Sequence, residues 1–221
     1  MPRTTSHGKC KFCGGTFGKQ AISRHLKSCT KRPQPTTEKK TLLYHLMVEG
    51  RGMPMYWLHI EMPATARLSV LDYFLRDIWV ECCGHLSVFT IGSASYYGDS
   101  TSAYEFGEKT MNHQLRNVLT PGEKFGYEYD FGTTTELTLK LVEAYEGEVN
   151  PKEKVTVLAR NDPPEIRCEK CEQLAVNVCS QCVWSGEGWL CEEHSVDHEC
   201  GEEMLLPVVN SPRVGMCGYS G

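Results

Sequence analysis

The sequence has no long apolar run and no apolar segment near its start. No stretch approaches the ~20 consecutive apolar residues that cross a bilayer. The opening Met-Pro-Arg-Thr-Thr-Ser-His lacks the apolar core of a secretory signal. We therefore expect a soluble, cytoplasmic protein without a membrane partner. Hydrophobic residues still make up 40% of the 221 residues, which excludes a chain that is disordered throughout.

Basic residues are scarce toward the C-terminus and abundant at the start. Residues 168–203 contain one base and nine acids, whereas residues 1–40 contain ten bases and one acid. The middle, residues 41–167, contains eleven bases and eighteen acids. The basic start can attract phosphate, acidic lipid or an acidic protein, or it can be a solvated tail, and charge alone does not choose between these. The acidic end argues against a chain whose whole surface binds nucleic acid.

Cysteine is nearly absent from the middle of the chain. Of twelve cysteines, only Cys82 and Cys83 lie between residues 30 and 167, and Cys217 stands alone near the end. The other nine form Cys-x2-Cys pairs or lie close to histidines, which indicates metal binding rather than disulfides in a reducing compartment.

Residues 1–32, here called the head, are predicted to form a small zinc finger. The candidate ligands have the spacing Cys-x2-Cys-x11-His-x3-Cys and are Cys10, Cys13, His25 and Cys29. The cysteine pair presents two sulfurs to one ion, and the last two ligands share a helix face. With Gly14 and Phe17, the segment resembles the small Cys-Cys-His-Cys finger family. A role in binding nucleic acid and a role in protein contact are both open, and residues 33–40 are interpreted as a linker.

Residues 161–203, here called the C-terminal module, are predicted to hold two metal ions. Eight candidate ligands fall within 33 residues: Cys168, Cys171, Cys179, Cys182, Cys191, His194, His198 and Cys200. We expect an interleaved arrangement, in which the first cysteine pair shares an ion with Cys191 and His194, and the second with His198 and Cys200. The order resembles B-box-type cross-brace fingers, although it ends in His-x-Cys.

Sulfur and imidazole ligands favour zinc over calcium or magnesium, and iron–sulfur ligation is the weaker alternative. Sites with four protein ligands are closed to substrate and therefore structural. We expect three Zn²⁺ ions per chain as cofactors, one in the head and two in the C-terminal module.

Residues 41–160, here called the central domain, are predicted to have an α+β fold with a mixed sheet and helices on one face. Strands are predicted at 42–48, 57–62, 86–91, 127–131, 137–142 and 155–158, the last as an edge strand. We expect hairpins between the first two strands and between the fourth and fifth.

Two helices are predicted between these strands. Apolar residues recur at helical spacing from Leu71 to Trp79, with Ser69 and Asp72 as a capping pair. A second helix is predicted over 111–119. Residues 204–221 are expected to pack back onto the protein as an extended strap.

The central domain resembles the plasmid open-reading-frame-three family, also called the insertion-element TnpR-passenger family. The resemblance rests on Tyr44-His-Leu, Trp57, the helix from Leu68 to Trp79, His85-Leu86, and Tyr127-Glu-Tyr-Asp-Phe-Gly132. It implies an α+β protein associated with mobile elements, with no established biochemical activity. Many relatives have a further histidine where this chain has Ser87, and Asp and Trp where it has Thr133 to Thr135.

Few residues of the central domain are candidates for chemistry. Cys82, Cys83 and His85 can form a nucleophile and base, but adjacent thiols at a helix end are more often structural. Asp130 can act as a general base, but such an acid more often faces solvent or caps a turn. The isolated histidines His45, His59 and His113 are interpreted as structural, and Cys217 has no visible partner.

Two functional classes follow from these observations. The leading interpretation is a non-enzymatic, zinc-binding adaptor of mobile-element-associated type, with a protein partner and with nucleic acid as a possible partner of residues 1–40. The alternative is a nucleic-acid-acting protein with a site around His85, Asp130 and Glu136, although the serine nucleophile with arginines used in recombination is not recognisable. Neither interpretation specifies an oligomeric state.

Overall fold

The computed structural model describes residues 6–33, 40–149 and 153–221. Most of the predicted linker, residues 34–39, lies outside the described residues. Within them, the head consists of strand β1 (His7–Lys9), strand β2 (Thr16–Gly18) and helix α1 (Lys19–Ser28). The two strands pair as an antiparallel hairpin.

A single sheet of eight strands forms the central domain. Its strands are β3 (Thr41–Gly50), β4 (Met53–Pro63), β5 (Ser87–Ile91), β6 (Ala94–Tyr97), β7 (Lys109–Thr110), β8 (Lys124–Tyr129), β9 (Thr135–Gly147) and β10 (Thr156–Arg160). Their spatial order is β10-β4-β3-β9-β8-β5-β6-β7. Only the β6–β7 pair is parallel, so the sheet is mixed and the predicted α+β class is confirmed.

The predicted hairpins and edge strand are confirmed by this topology. β3 pairs with β4, and β8 pairs with β9, both antiparallel. β10 lies at one edge of the sheet, where it pairs only with β4 among the described strands.

The first predicted helix is present but changes type along its length. Helix α2 (Leu68–Leu75) continues into a π-helical turn at Arg76–Val80. Leu71, Leu75 and Trp79 are fully buried in the main core, as their spacing predicts. The predicted capping pair is wrong: α2 begins after Arg67 without a side-chain cap. Asp72 is instead buried among polar partners, including Arg76.

The second predicted helix is wrong. Residues 111–119 form irregular chain with a single 3₁₀ turn at Leu115–Asn117. Met111, Leu115 and Leu119 are still buried, and part of the backbone hydrogen bonds to other segments of the chain. Met111 N donates to Tyr97 O, and Leu115 N donates to Ala66 O. A short helix that the periodicity does not predict, α3 (Ser100–Glu105), follows β6.

The sheet is covered on both faces near β4. Leu58 and Ile60 face the main core with α2, whereas Trp57 faces a second cluster that contains Ile22 and Leu26 of α1. Sequence alternation along 57–62 predicts a strand buried on one face only. Trp57 and His59 are fully buried because the head packs on the face that would otherwise meet solvent.

The C-terminal module is built around a small three-stranded sheet. It contains β11 (Asn177–Cys179), β12 (Trp189–Leu190), helix α4 (Glu192–Val196) and β13 (Leu205–Pro207). β11 is the middle strand and pairs antiparallel with both others. β13 belongs to the predicted strap, so the strap begins as part of this sheet. No helix within the described ranges is long and apolar enough to span a membrane.

Candidate metal centres

The four predicted ligands of the head converge in one cluster. The ligand atoms of Cys10, Cys13, His25 and Cys29 all lie within 4.8 Å of one another. Cys13 Sγ lies 3.2 Å from His25 Nε2, and Cys10 Sγ lies 4.0 Å from Cys29 Sγ. The turn between β1 and β2 carries the cysteine pair, and Gly14 permits this turn through its φ of 71°. Phe17 stacks on the His25 ring at 4.1 Å and orients it.

The head is bound to the sheet through a buried apolar contact. Ile22 and Leu26 of α1 pack in one cluster with Trp57 of β4 and Leu158 of β10. The backbone continues the contact, because Lys11 N donates to Leu158 O at 2.8 Å. The Cys/His cluster and the sheet therefore lie on two sides of the same short segment.

Basic residues of the head form ion pairs with acids of the sheet. Lys19 Nζ lies 2.6 Å from Glu49 Oε2, and Arg32 Nη1 lies 3.2 Å from Glu143 Oε1. Arg32 also lies over the Tyr145 ring, with its Cζ 3.9 Å from the ring centroid. Part of the positive charge of the head is thus neutralised within the chain itself.

The eight predicted ligands of the C-terminal module form two clusters in the interleaved arrangement. Cys168, Cys171, Cys191 and His194 form the first, and Cys179, Cys182, His198 and Cys200 form the second. In the first, Cys191 Sγ lies 3.2 Å from His194 Nδ1 and 3.8 Å from Cys171 Sγ. In the second, Cys182 Sγ lies 3.6 Å from both His198 Nε2 and Cys200 Sγ. Helix α4 supplies His194, and β11 ends at Cys179.

One thiol in each of these two clusters has a lowered pKa. Burial raises the pKa of Cys168, but hydrogen bonds from the backbone of Cys191 and Lys170 outweigh it and bring the pKa to about 6. Burial likewise opposes ionisation of Cys179, whose pKa falls to about 7 through hydrogen bonds from the backbone of Cys182 and Gln181. A metal cation would therefore meet a thiolate near neutral pH.

The structure assembles a fourth cluster that the sequence analysis does not predict. It consists of Cys82, Cys83, His85 and Cys217, whose ligand atoms lie within 4.8 Å of one another. Cys217 Sγ is 3.3 Å from His85 Nε2 and 4.0 Å from Cys83 Sγ. The expectation that Cys217 has no partner is therefore wrong, because the strap returns it to the end of the π-helical turn.

Asp130 lies beside this fourth cluster and is held by buried donors. Its Oδ2 is 2.7 Å from Arg213 Nη2 and 3.5 Å from His85 Nε2, and Arg213 is fully buried. Asp130 caps a turn, as its Oδ1 accepts from Gly132 N, but it is buried rather than solvent-facing. Burial raises the pKa of Asp130, yet hydrogen bonds from Thr133 and Arg213 hold this pKa well below its usual range. The carboxylate is thus a poor proton acceptor.

The remaining candidates lie apart from this cluster. Glu136 lies on β9 and forms a surface ion pair with Arg51. His113 Nδ1 lies 2.9 Å from Thr110 O. His45 and His59 are not isolated from each other, because His45 Nε2 lies 2.8 Å from His59 Nδ1 in the space beneath the head. Both rings are fully buried.

Comparison with known proteins identifies the family. A model of the plasmid pRiA4b ORF-3-like proteins matches residues 44–171, which is more than half of the chain. The chain belongs to this family. The match covers the central domain and the first cysteine pair of the C-terminal module, and it does not include the head or the strap.

Solved structures similar to this member of the plasmid pRiA4b ORF-3-like family include a crystal structure. It is described as the crystal structure of a protein of unknown function, MM3350, from Methanosarcina mazei Go1. The two chains are 16% identical, with a TM-score of 0.45, and the match covers 54% of this chain and 68% of the other. No curated protein matches the chain.

The fourth cluster could have been predicted by counting the cysteines and histidines of this family member. Nine of the twelve cysteines are used by the three terminal sites, each with three thiols and one histidine. The three cysteines left over, with His85, make the same donor set. The long separation along the chain between His85 and Cys217 hides this relation in the sequence.

Proposed function

We propose that this chain is a non-enzymatic, zinc-binding adaptor of mobile-element-associated type, with zinc in the head and at two sites in the C-terminal module. The observation that carries the proposal is that each terminal cluster joins three thiols and one imidazole within 4.8 Å. Tetrahedral zinc places two sulfurs about 3.8 Å apart, and a sulfur and a nitrogen about 3.6 Å apart. Sulfur–sulfur contacts of 3.6, 3.8 and 4.0 Å and a sulfur–nitrogen contact of 3.6 Å in these clusters fit those values.

A structural role for these ions is supported by the completeness of each ligand set. Four protein ligands leave no position for substrate, whereas catalytic zinc keeps one open. The candidate general base of the central domain, Asp130, accepts hydrogen bonds from Arg213, Thr133 and Gly132. These observations support an adaptor over the alternative of an enzyme centred on His85 and Asp130.

The surface of the C-terminal module supports a protein partner with a basic surface. Residues 168–203 contain nine acids and one base, and each zinc site with three thiolates adds a further charge of −1. Trp184 and Val196 are 60% and 79% exposed in this acidic surrounding. Exposed aromatic and aliphatic side chains within one charged region are typical of protein-binding surfaces.

The zinc sites are tested by counting ions on the intact chain with native mass spectrometry. Cys13→Ser and Cys182→Ser should each lose one zinc, because each removes a ligand from a different cluster. Ser220→Ala, an exposed substitution outside the clusters, is the control and should retain the wild-type count. A wild-type chain that carries one zinc or none contradicts the proposal.

The adaptor role is tested by cross-linking and capture of partners from the native cell with zinc retained. We expect a captured protein with a basic surface whose yield falls with Trp184→Ala and with Cys182→Ser. Tyr104→Ala is the matched control, since Tyr104 is an aromatic residue of the central domain that is 87% exposed. Equal loss of capture in the Tyr104 variant, or no loss with Trp184→Ala, contradicts the assignment of this surface.

Nucleic acid is the second candidate partner. Exposed bases of residues 1–40, among them Lys9, Arg24 and Lys31, form no ion pair with the described residues and support it. Binding to a duplex should weaken with salt, and the double variant Arg24→Ala, Lys31→Ala should reduce the salt slope by about 1 to 2. Lys124→Ala, at an exposed base on β8, is the control. An unchanged slope excludes the head as the binding surface.

A further inference from the structure

We propose that Cys82, Cys83, His85 and Cys217 form a fourth zinc site, which closes the strap onto the central domain. This site goes beyond the terminal sites of the proposed function, because its ligands come from the central domain and the end of the chain. Cys82 and Cys83 follow the π-helical turn, His85 precedes β5, and Cys217 lies in the strap.

The spacing of its donor atoms matches that of the three terminal clusters. Cys82 Sγ lies 3.5 Å from Cys83 Sγ, which lies 3.0 Å from His85 Nε2 and 4.0 Å from Cys217 Sγ. His85 Nε2 lies 3.3 Å from Cys217 Sγ. The two sulfur–sulfur contacts lie on either side of the value of about 3.8 Å for tetrahedral zinc, and the two sulfur–nitrogen contacts are shorter than the value of about 3.6 Å. The donor set, three thiols and one imidazole, is also the same.

Backbone conformation provides an independent observation. Cys217 and Asp130 are the two non-glycine residues with positive φ among the described residues, at 47° and 64°. Such conformations are unfavourable for residues other than glycine and persist where surrounding structure enforces them. Both residues lie at this cluster, since Asp130 Oδ2 is 3.5 Å from His85 Nε2. A metal bond to Cys217 offsets the cost of the conformation that aims its sulfur at the other three ligands.

The charges around the cluster suit an ion with three thiolates. Zinc with three thiolates carries a charge of −1, and a nearby cation stabilises such an anionic site. Arg213 supplies it: Nη2 donates to Cys82 Sγ at 3.3 Å and to Asp130 Oδ2 at 2.7 Å. The Asp130 carboxylate is paired with Arg213 and is therefore not needed as a metal ligand. The three sulfurs and the imidazole supply the four ligands. Arg213 here acts as a supporting partner of a ligand, as is usual around protein metal sites.

The alternative of a disulfide fits the geometry less well. A disulfide joins two sulfurs at about 2.05 Å and would leave the remaining thiol and imidazole without a role. All three thiols are free, and their sulfurs are arranged around His85 instead of as one close pair.

An ion at this site would link Cys82 and Cys217, which are farther apart in the sequence than the ligands of any other cluster. The strap is already attached upstream, where Ser211 Oγ donates to Trp79 O at 2.6 Å and Arg213 is buried. Cys83 and Cys217 are exposed, and none of the four ligands is fully buried, unlike the other three clusters. We therefore expect this ion to exchange with solvent chelators before the others.

The test is an ion count on the intact chain, combined with the head variant as a matched reference. Wild type should carry four zinc ions, Cys217→Ser three, Cys13→Ser three, and the double variant two. Ser220→Ala should retain four. Circular dichroism identifies any variant that fails to fold. Cobalt substitution then provides a second reading, because Cys217→Ser should reduce the thiolate-to-cobalt absorption of the chain by about one quarter.

The outcomes separate this inference from the proposed function. Three ions in both wild type and Cys217→Ser would overturn the fourth site while leaving the terminal sites intact. Four ions in both would also overturn it, because the fourth ion would then lie elsewhere. A disulfide that includes Cys217 in the unreduced native protein, detected by peptide mapping, would overturn it as well. A wild-type chain with no zinc would contradict both proposals.

Discussion

Replacement of His59 by phenylalanine should make the stability of the protein less sensitive to mild acid. His59 is fully buried beneath the head, and its Nε2 has no hydrogen-bond partner among the described residues. Burial, and then repulsion from His45, lowers the pKa of His59 to about 3. The folded protein therefore keeps this ring neutral at pH values where an exposed histidine takes up a proton.

The magnitude follows from the difference in proton binding between the two states. In the unfolded chain His59 has a pKa of about 6.5. As the pH falls from about 6.5 toward the pKa of His59 in the folded protein, only the unfolded chain takes up the proton, and acid therefore favours unfolding. The contribution of neutral His59 is therefore complete above pH 6.5 and declines below it. Between pH 7.5 and 5.5, protonation of His59 in the unfolded state raises the ratio of unfolded to folded protein about tenfold. The free energy of unfolding falls by about 1.4 kcal/mol.

Glu143, which lies 3.6 Å from His45, does not obscure this window. The neighbouring His45 ring and a hydrogen bond from Arg32 lower the pKa of Glu143 to about 2, against the effect of burial. A carboxylate with a lowered pKa contributes fully above its unfolded value near 4.5 and loses its contribution only below it. Its effect therefore belongs to more acidic solutions than those compared here.

The assay is urea unfolding of wild type and His59→Phe at pH 7.5 and 5.5, with zinc present. The variant should lose about 1.4 kcal/mol less than wild type between the two pH values, whatever its stability at pH 7.5. Protonation of the metal ligands affects both chains equally and cancels in the comparison. Tyr56→Phe is the control, because it alters a fully buried ring of β4 that does not titrate in this range. Parallel losses in wild type and His59→Phe would refute a neutral, buried His59.

Three further changes test the packing. Ile22→Ala should cost about 2–5 kcal/mol and reduce hydrogen-exchange protection across the head, because Ile22 is fully buried against Trp57. Lys19→Ala should cost less than about 1 kcal/mol by the same measurement, since its ion pair is partly exposed. If Lys19→Ala lowers stability as much as Ile22→Ala does, charge and not apolar contact binds the head. Arg213→Ala should lower stability in thermal unfolding by about 3–5 kcal/mol, as Asp130 stays buried without its cation, and an unchanged melting temperature would contradict this.

The three terminal Cys/His clusters were predictable because their members lie close together in the sequence. Two cysteines separated by two residues, or a histidine and a cysteine four residues apart on a helix, meet through local geometry alone. The interleaved order in the C-terminal module also follows from short connections that permit few alternatives. The fourth cluster lacks this property, since Cys217 reaches His85 only after the strap has packed on the sheet.

The second predicted helix illustrates the limit of periodicity. Met111, Leu115 and Leu119 have helical spacing and are buried, yet the chain there is irregular. Some of their backbone groups hydrogen bond to neighbouring segments, at Ala66 and Tyr97, and these bonds compete with those of a helix. The pattern of apolar residues does not reveal this competition.

Sequence patterns were sufficient to predict the α+β class, the hairpins, helix α2 and the members of the three terminal Cys/His clusters. Each of these depends on residues a few positions apart, whose relation is set by backbone periodicity. The three-dimensional fold was needed to show that the head covers Trp57 and His59, that Arg213 pairs with Asp130, and that Cys217 joins a fourth cluster. Those contacts join segments far apart in the chain, and their free energy comes from the burial and pairing of side chains that become neighbours only after the sheet has formed.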